Sequence, residues 1–387
     1  LNLPLELLDA IFGQVYSPFE HRFAPLCKRL YPVQQRQFWR RLEFESYEDL
    51  AAFCRRAPFI PGLETNLVEL ELYMEIAAVT VNHRLEQEYD ERSDEGLNDD
   101  DDDGPDQVDP DFELCPLPLF VTLLDRLAAL RTIILRHAED DWVDALVGGD
   151  KETGASPSWL GRLESIHVDF NYNPNSRFLE PDPMQAWLGA LAGARSLRAL
   201  RLVNDFGPSG PPTSAPKPVP TLPNLQTLAV TGGSLYSWTG APLGQVAPNL
   251  VRLELMGAHP EPQVVAVLRE APVHLRELVV SPDASDAAAR LDLDLVLPRL
   301  AHLRHLRLAG QSFDPTRLVP HLRSLADLES LAFGLGAPVT DTLLDAILEG
   351  PSRLSHFRRL TLDHFRAWPG LTVYLLDHKI PDDLEAL

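Results

Sequence analysis

Only three cysteines, Cys27, Cys54 and Cys115, occur in 387 residues. They are odd in number and far apart, which argues against a disulfide framework or a multi-cysteine zinc site and fits reduced thiols. Also missing is any run of about 18 apolar residues, the length that a membrane-spanning helix needs. The first residues lack the basic-then-apolar layout of a secretory signal. These absences point to an intracellular protein, cytoplasmic or nuclear, with no membrane partner. No Gly-Lys-Ser/Thr, GxSxG, HExxH or CxxC sequence occurs, so the common nucleotide, hydrolase and zinc signatures are absent. His302 and His305 are spaced like a ligand pair but fall at a strand motif, and Gly232-Gly233 has no lysine beside it. Asp99–Asp103 lacks the alternation of a calcium loop. No catalytic, cofactor-binding or metal-ligating residue is assigned, and a non-catalytic chain is expected.

What the sequence does have is acid and hydrophobic residues. A formal net charge of -23 argues against nucleic acid, whose phosphates are bound through clustered Lys and Arg. The charge is uneven. Residues 86–113 hold fifteen acidic residues and one Arg, a net of -14, which leaves -9 for the rest (-23 + 14). Such a segment has little to bury and is expected to be disordered. Elsewhere 45% hydrophobic residues supply ample material for a core. A second interruption, residues 207–220, has six prolines in fourteen positions and is expected to form an extended loop.

One motif, LxxLxL, returns along the chain. It appears as LVELEL from Leu67, LRTIIL from Leu130, LESIHV from Leu163, LRALRL from Leu197 and LQTLAV from Leu225. It continues as LVRLEL from Leu250, LRELVV from Leu275, LRHLRL from Leu303, LESLAF from Leu328 and FRRLTL from Phe357. From Leu197 the starts lie 28, 25, 25, 28, 25 and 29 residues apart, the period of a leucine-rich repeat. Each motif alternates like a half-buried strand. Between them, Met184, Trp187, Leu188 and Leu191, or Leu318, Leu322 and Leu325, recur at helical spacing. Strand then helix, repeated, predicts an α/β leucine-rich-repeat solenoid with parallel strands on its concave face and helices outside. The Asn or Cys that many such repeats carry three residues after the last strand leucine is present only as Asn171, so an irregular solenoid is expected.

Strand alternation turns Glu69, Glu71 and Tyr73 early, and Arg201, Arg252, His305, Arg307 and Arg359 later, toward solvent on the concave face. Small residues such as Ala199, Ala229 and Ala332 lie among the later ones. That lining predicts a substrate-binding surface for a protein target, acidic or phosphorylated.

Residues 1–44 read as three helices ahead of the repeats at 45–387. Leu7, Leu8, Ile11, Phe12 and Val15 recur at helical spacing, Pro4 suits a first turn, and a third helix is expected over 33–42 with Phe38 and Trp39 buried. The opening Leu3-Pro4, Glu6-Leu7-Leu8 and Ile11-Phe12, the run Leu26-Cys27-Lys28-Arg29-Leu30-Tyr31 and the pair Phe38-Trp39 resemble an F-box. The loop at Ser17–Phe23 and Ala24-Pro25 depart from that pattern. Followed by leucine-rich repeats, the module is similar to the substrate receptors of cullin-RING ubiquitin ligases. The resemblance implies a Skp-type adaptor, and through it a cullin, as partners, with Leu3, Pro4, Leu7, Phe12, Leu26 and Lys28 as the adaptor-binding surface. The alternative is a leucine-rich-repeat scaffold unconnected with ubiquitin, in which 1–44 merely caps the array.

Overall fold

The computed structural model describes residues 39–60, 62–73, 117–138, 140–148, 157–170, 181–203, 221–231, 242–257, 261–282, 296–310, 313–322, 324–334, 337–348, 357–362 and 385–386. The segments 86–113 and 207–220 and nearly all of the F-box-like module lie outside these. The chain divides into two compact units, Leu1–Asn173 and Pro174–Leu387.

In the first unit four strands follow one another in chain order: β1 (Arg41–Phe44), β2 (Glu69–Tyr73), β3 (Thr132–Arg136) and β4 (Ser165–Asp169). All pairings are parallel, with Leu70, Ile133 and Ile166 in one row and Leu72, Leu135 and Val168 in another. Both rows are buried, as period-two alternation demands. Helices Tyr47–Arg56, Leu117–Arg126 and Asp140–Val147 lie between the strands in sequence. Trp142 is buried among them, stacked on Tyr47 at 5.6 Å and tilted against Phe120 at 5.2 Å. Ser46 caps the first of these helices by accepting from the Asp49 N–H at 3.1 Å. Cys54 is buried in the core, and that burial pushes its thiol up to about 11, which keeps it protonated at neutral pH.

The second unit holds β5 (Ala199–Val203), β6 (Thr227–Thr231), β7 (Arg252–Gly257), β8 (Glu277–Pro282), β9 (His305–Leu308), β10 (Ser330–Phe333), β11 (Arg359–Leu362) and β12 (Glu385–Ala386), again parallel and in chain order. Leu200, Leu228, Leu253, Leu278, Leu306, Leu331 and Leu360 pair in one register and are all buried. Each fully buried leucine contributes about 1.5 to 3 kcal/mol. Intervening helices cover Pro181–Ala190, Glu261–Glu270, Pro315–Leu322 and Asp341–Leu348, and bury Met184, Trp187, Leu268, Leu318, Leu322, Leu343 and Leu344. Asp314 caps the third of these through the Thr316 N–H at 2.9 Å, and Thr340 caps the fourth through the Leu343 N–H at 3.3 Å.

Register begins one residue ahead of each strand. The Val251 carbonyl accepts from the N–H groups of both Arg276 and Glu277, at 2.9 and 3.0 Å, and the same fork recurs at Arg276, Arg304 and Glu329 toward the following repeat. Side-chain rungs between repeats also precede the strands. Asn224 Nδ2 donates to the Arg195 carbonyl at 2.5 Å, Asn249 Nδ2 to the Pro223 carbonyl at 2.7 Å, and His302 faces Asp327 at 3.1 Å. Each occupies the position just before a motif's first leucine. Gly334 sits where a Cβ would come within 2.7 Å of Ala309 Cβ, so this turn stacks on the previous one only without a side chain.

All ten motif segments are strands. Of the third helix expected over 33–42, residues 33–38, with Phe38, lie outside the described residues; the rest is corrected, because Trp39 and Arg40 form a turn, Arg41 and Leu42 begin β1, and Trp39 is half-buried. Four residues that alternate charged and apolar, RLEF, suit a strand and pair with β2.

Candidate binding face

The leucines point to one side of each strand, so the residues between them share the other. In the first unit this leucine-free face is a charge network. Glu71, expected to face solvent, is instead buried, with its side chain 2% exposed, because two arginines fold over it. Arg41 Nη2 donates to its Oε2 at 2.5 Å and Arg136 Nε to its Oε1 at 2.9 Å, while Arg41 Nε also lies 3.0 Å from Glu69. Burial, then repulsion from Glu71, pushes the Glu43 carboxyl up, against the pull of Arg41 and a hydrogen bond from Tyr73. The Tyr73 hydroxyl is raised too, by burial and by Glu71. His167 and Asp169, on the same face of β4, are buried.

A carboxyl whose folded value is raised binds its proton more tightly in the folded state. Its contribution is full below the ordinary carboxyl range and is lost as pH rises through the raised value. At neutral pH the Glu43 charge therefore works against folding. Glu43→Gln should raise the thermal midpoint at pH 7, and the advantage should vanish below about pH 4. Thermal melts of both proteins across that range check it; a Gln variant less stable at pH 7 would show that the charge is favourable.

In the second unit the expected face residues all lie on strands, opposite the buried leucines. Arg201 is exposed on β5, Arg252 on β7, Arg307 on β9 and Arg359 on β11, and His305 is half-buried on β9. Register brings His305, Ser330 and Arg359 into one row, and Arg307 and Ala332 into the next. Arg201 stands apart from these, beside Ala229. Arg252 is not an unengaged cation: it is paired with Glu254 and, at 2.9 Å, with Glu277 of the next strand. Both glutamates were missing from the sequence-based lining, which is thus less basic around β7 than expected.

Sequence reasoning also passed over the residues one step ahead of the strands. Arg198, Arg276, Arg304 and Arg358 are exposed there, and Arg304 lies 3.3 Å from Glu329. Their recurrence as the second letter of LRALRL, LRELVV, LRHLRL and FRRLTL was the available signal. Leu3, Pro4, Leu7, Phe12, Leu26 and Lys28 lie outside the described residues. Among the described residues no group of three or more His, Cys, Asp and Glu is placed to hold a metal, and no helix is long and apolar enough to cross a membrane.

No protein-family model matches the chain, and no curated protein matches it. Among solved structures, a chain from the crystal structure of the Rad7 and Elc1 complex in yeast aligns over 99% of this chain and 92% of its own length. The identity is 12% and the TM-score 0.39. The fold follows from the strand pairing itself, not from that likeness. Within each unit it is an α/β repeat of parallel strands in chain order, the arrangement of a leucine-rich repeat.

Proposed function

We propose that this chain is the substrate-recognition subunit of a cullin-RING ubiquitin ligase of the Skp/cullin/F-box type. Residues 1–44 bind a Skp-type adaptor and through it a cullin, and the repeats hold the protein to be modified. The chain itself is a receptor without catalytic residues. One observation carries the reading: an F-box-like opening, Leu3-Pro4, Leu7-Leu8 and Ile11-Phe12, runs directly into parallel-strand repeats with a charged, leucine-free face. The opening segment, whose apolar spacing reads as helical, has more apolar residues than one small module can hide against itself, and the excess calls for a partner. Interface affinity concentrates in a few desolvated anchors whose truncation costs at least about 2 kcal/mol, roughly 30-fold in affinity. Pro4 and Leu7 are the anchors here.

A pull-down with purified adaptor tests this. The intact chain should retain the adaptor, and Pro4→Ala combined with Leu7→Asp, shown by circular dichroism to be folded, should lose about 30-fold or more. A folded intact chain that captures none overturns the ubiquitin reading and leaves a repeat scaffold unconnected with it.

A further inference from the structure

The chain is acidic, yet part of its repeat face is not. From β8 to β11 the leucine-free face and the residue ahead of each strand carry five arginines, Arg276, Arg304, Arg307, Arg358 and Arg359, against two glutamates, Glu277 and Glu329. Both glutamates are engaged, Glu277 by Arg252 at 2.9 Å and Glu329 by Arg304 at 3.3 Å. Arg276 and Arg358 are exposed and make no ion pair among the described residues. The surface is thus a local excess of guanidinium in a protein of net charge -23.

Its geometry is a row. The backbone forks at the strand entrances set Arg276, Arg304, Glu329 and Arg358 side by side, one per repeat. With strands about 4.8 Å apart, Arg276 and Arg358 stand roughly 14 Å from each other with the Arg304–Glu329 pair between them, so the guanidiniums are spread along the row rather than aimed at one point. Ser330 and Ala332 on β10 are the smallest floor, flanked by His305 and Arg307 on one side and Arg359 on the other. A single dianion would be served by guanidiniums that converge. Charges strung along a line match several carboxylates, each of which a planar guanidinium can bind in bidentate fashion. An extended peptide rises about 3.3 Å per residue, so some four or five residues span the row. Nucleic acid carries the same sign of charge, and an oligonucleotide comparator separates it from an acidic peptide.

We propose that the row from Arg276 to Arg358 docks an acidic linear segment, a run of Asp and Glu, in the partner protein. This gives the target's chemistry under the receptor reading. The assay contains no adaptor, so its failure and that of adaptor capture are separate results.

The experiment is fluorescence anisotropy of the full chain with a fluorescein-labelled peptide of about six alternating Asp and Glu residues, long enough to cover the row. A matched Lys peptide, an Ala peptide bearing one phosphoserine, and a short single-stranded oligonucleotide serve as comparators. The acidic peptide should bind, its affinity should fall as salt rises, and Arg276→Glu with Arg358→Glu should weaken it by at least about tenfold. Arg269→Glu, a single charge reversal away from the row, at an exposed position of the helix Glu261–Glu270, should not. If the double reversal fails to fold, Arg276→Gln with Arg358→Gln takes its place, and the salt dependence of the intact chain needs no variant. No binding, binding indifferent to salt, or undiminished binding by a folded double variant overturns the proposal. So does tighter binding of the phosphoserine peptide or of the oligonucleotide.

Discussion

Leu253→Ala should lower the stability of the second unit by roughly 2 to 5 kcal/mol. Leu253 lies in the middle of β7, fully buried, with Leu228 of β6 and Leu278 of β8 beside it in register. Truncation removes burial and leaves a cavity between two neighbouring coils, and parallel strands pinned on both sides have little freedom to close it. Because each repeat contacts chiefly its neighbours, the loss should be read locally. Hydrogen exchange at the amides of β6, β7 and β8 should accelerate to match that free energy, while β10 and β11 change less. A cost below about 1 kcal/mol would mean that the leucine row is not a packed core.

Arg41→Ala combined with Arg136→Ala should cost about 3 to 5 kcal/mol in the first unit, because it strands a buried carboxylate. Both arginines are partly exposed, their side chains 49% and 32%, whereas Glu71 is not. Removing Glu71 instead leaves two cations that water can reach, and the penalty should be much smaller. Adding Glu71→Leu to the double variant should restore most of the loss, since a whole buried ion pair can be exchanged for apolar packing at little net cost. Urea unfolding of the three proteins decides it. A triple variant no more stable than the double one would show that the arginines act through packing rather than charge.

The repeat core was legible in the sequence because one constraint was imposed ten times. A strand with one buried face must alternate, and the spacing between alternating segments repeats whenever coils stack. β1 was not legible, since RLEF has half-buried apolar positions at the end of the array and follows Phe38 and Trp39, which mimic a helical face. β12 is only two residues long. The candidate face was half legible. Alternation placed Arg201, Arg252, His305, Arg307 and Arg359 opposite the leucines, but whether an arginine there is spent on a neighbour depends on register. Both partners were missed: Glu254 lies two residues from Arg252, where alternation alone could have found it, whereas Glu277 belongs to the next coil and needs the register. The rungs between repeats were sought after the strands, where Asn commonly sits. Here Asn224, Asn249 and the His302–Asp327 pair provide them before the strands.

The most direct measurement of the central claim is mass photometry of the purified full chain mixed with a Skp-type adaptor and a cullin–RING pair. A receptor subunit enters one particle containing all four proteins, and Pro4→Ala with Leu7→Asp removes it from that particle while the other three stay assembled. A folded chain that stays separate at every concentration tested contradicts the account.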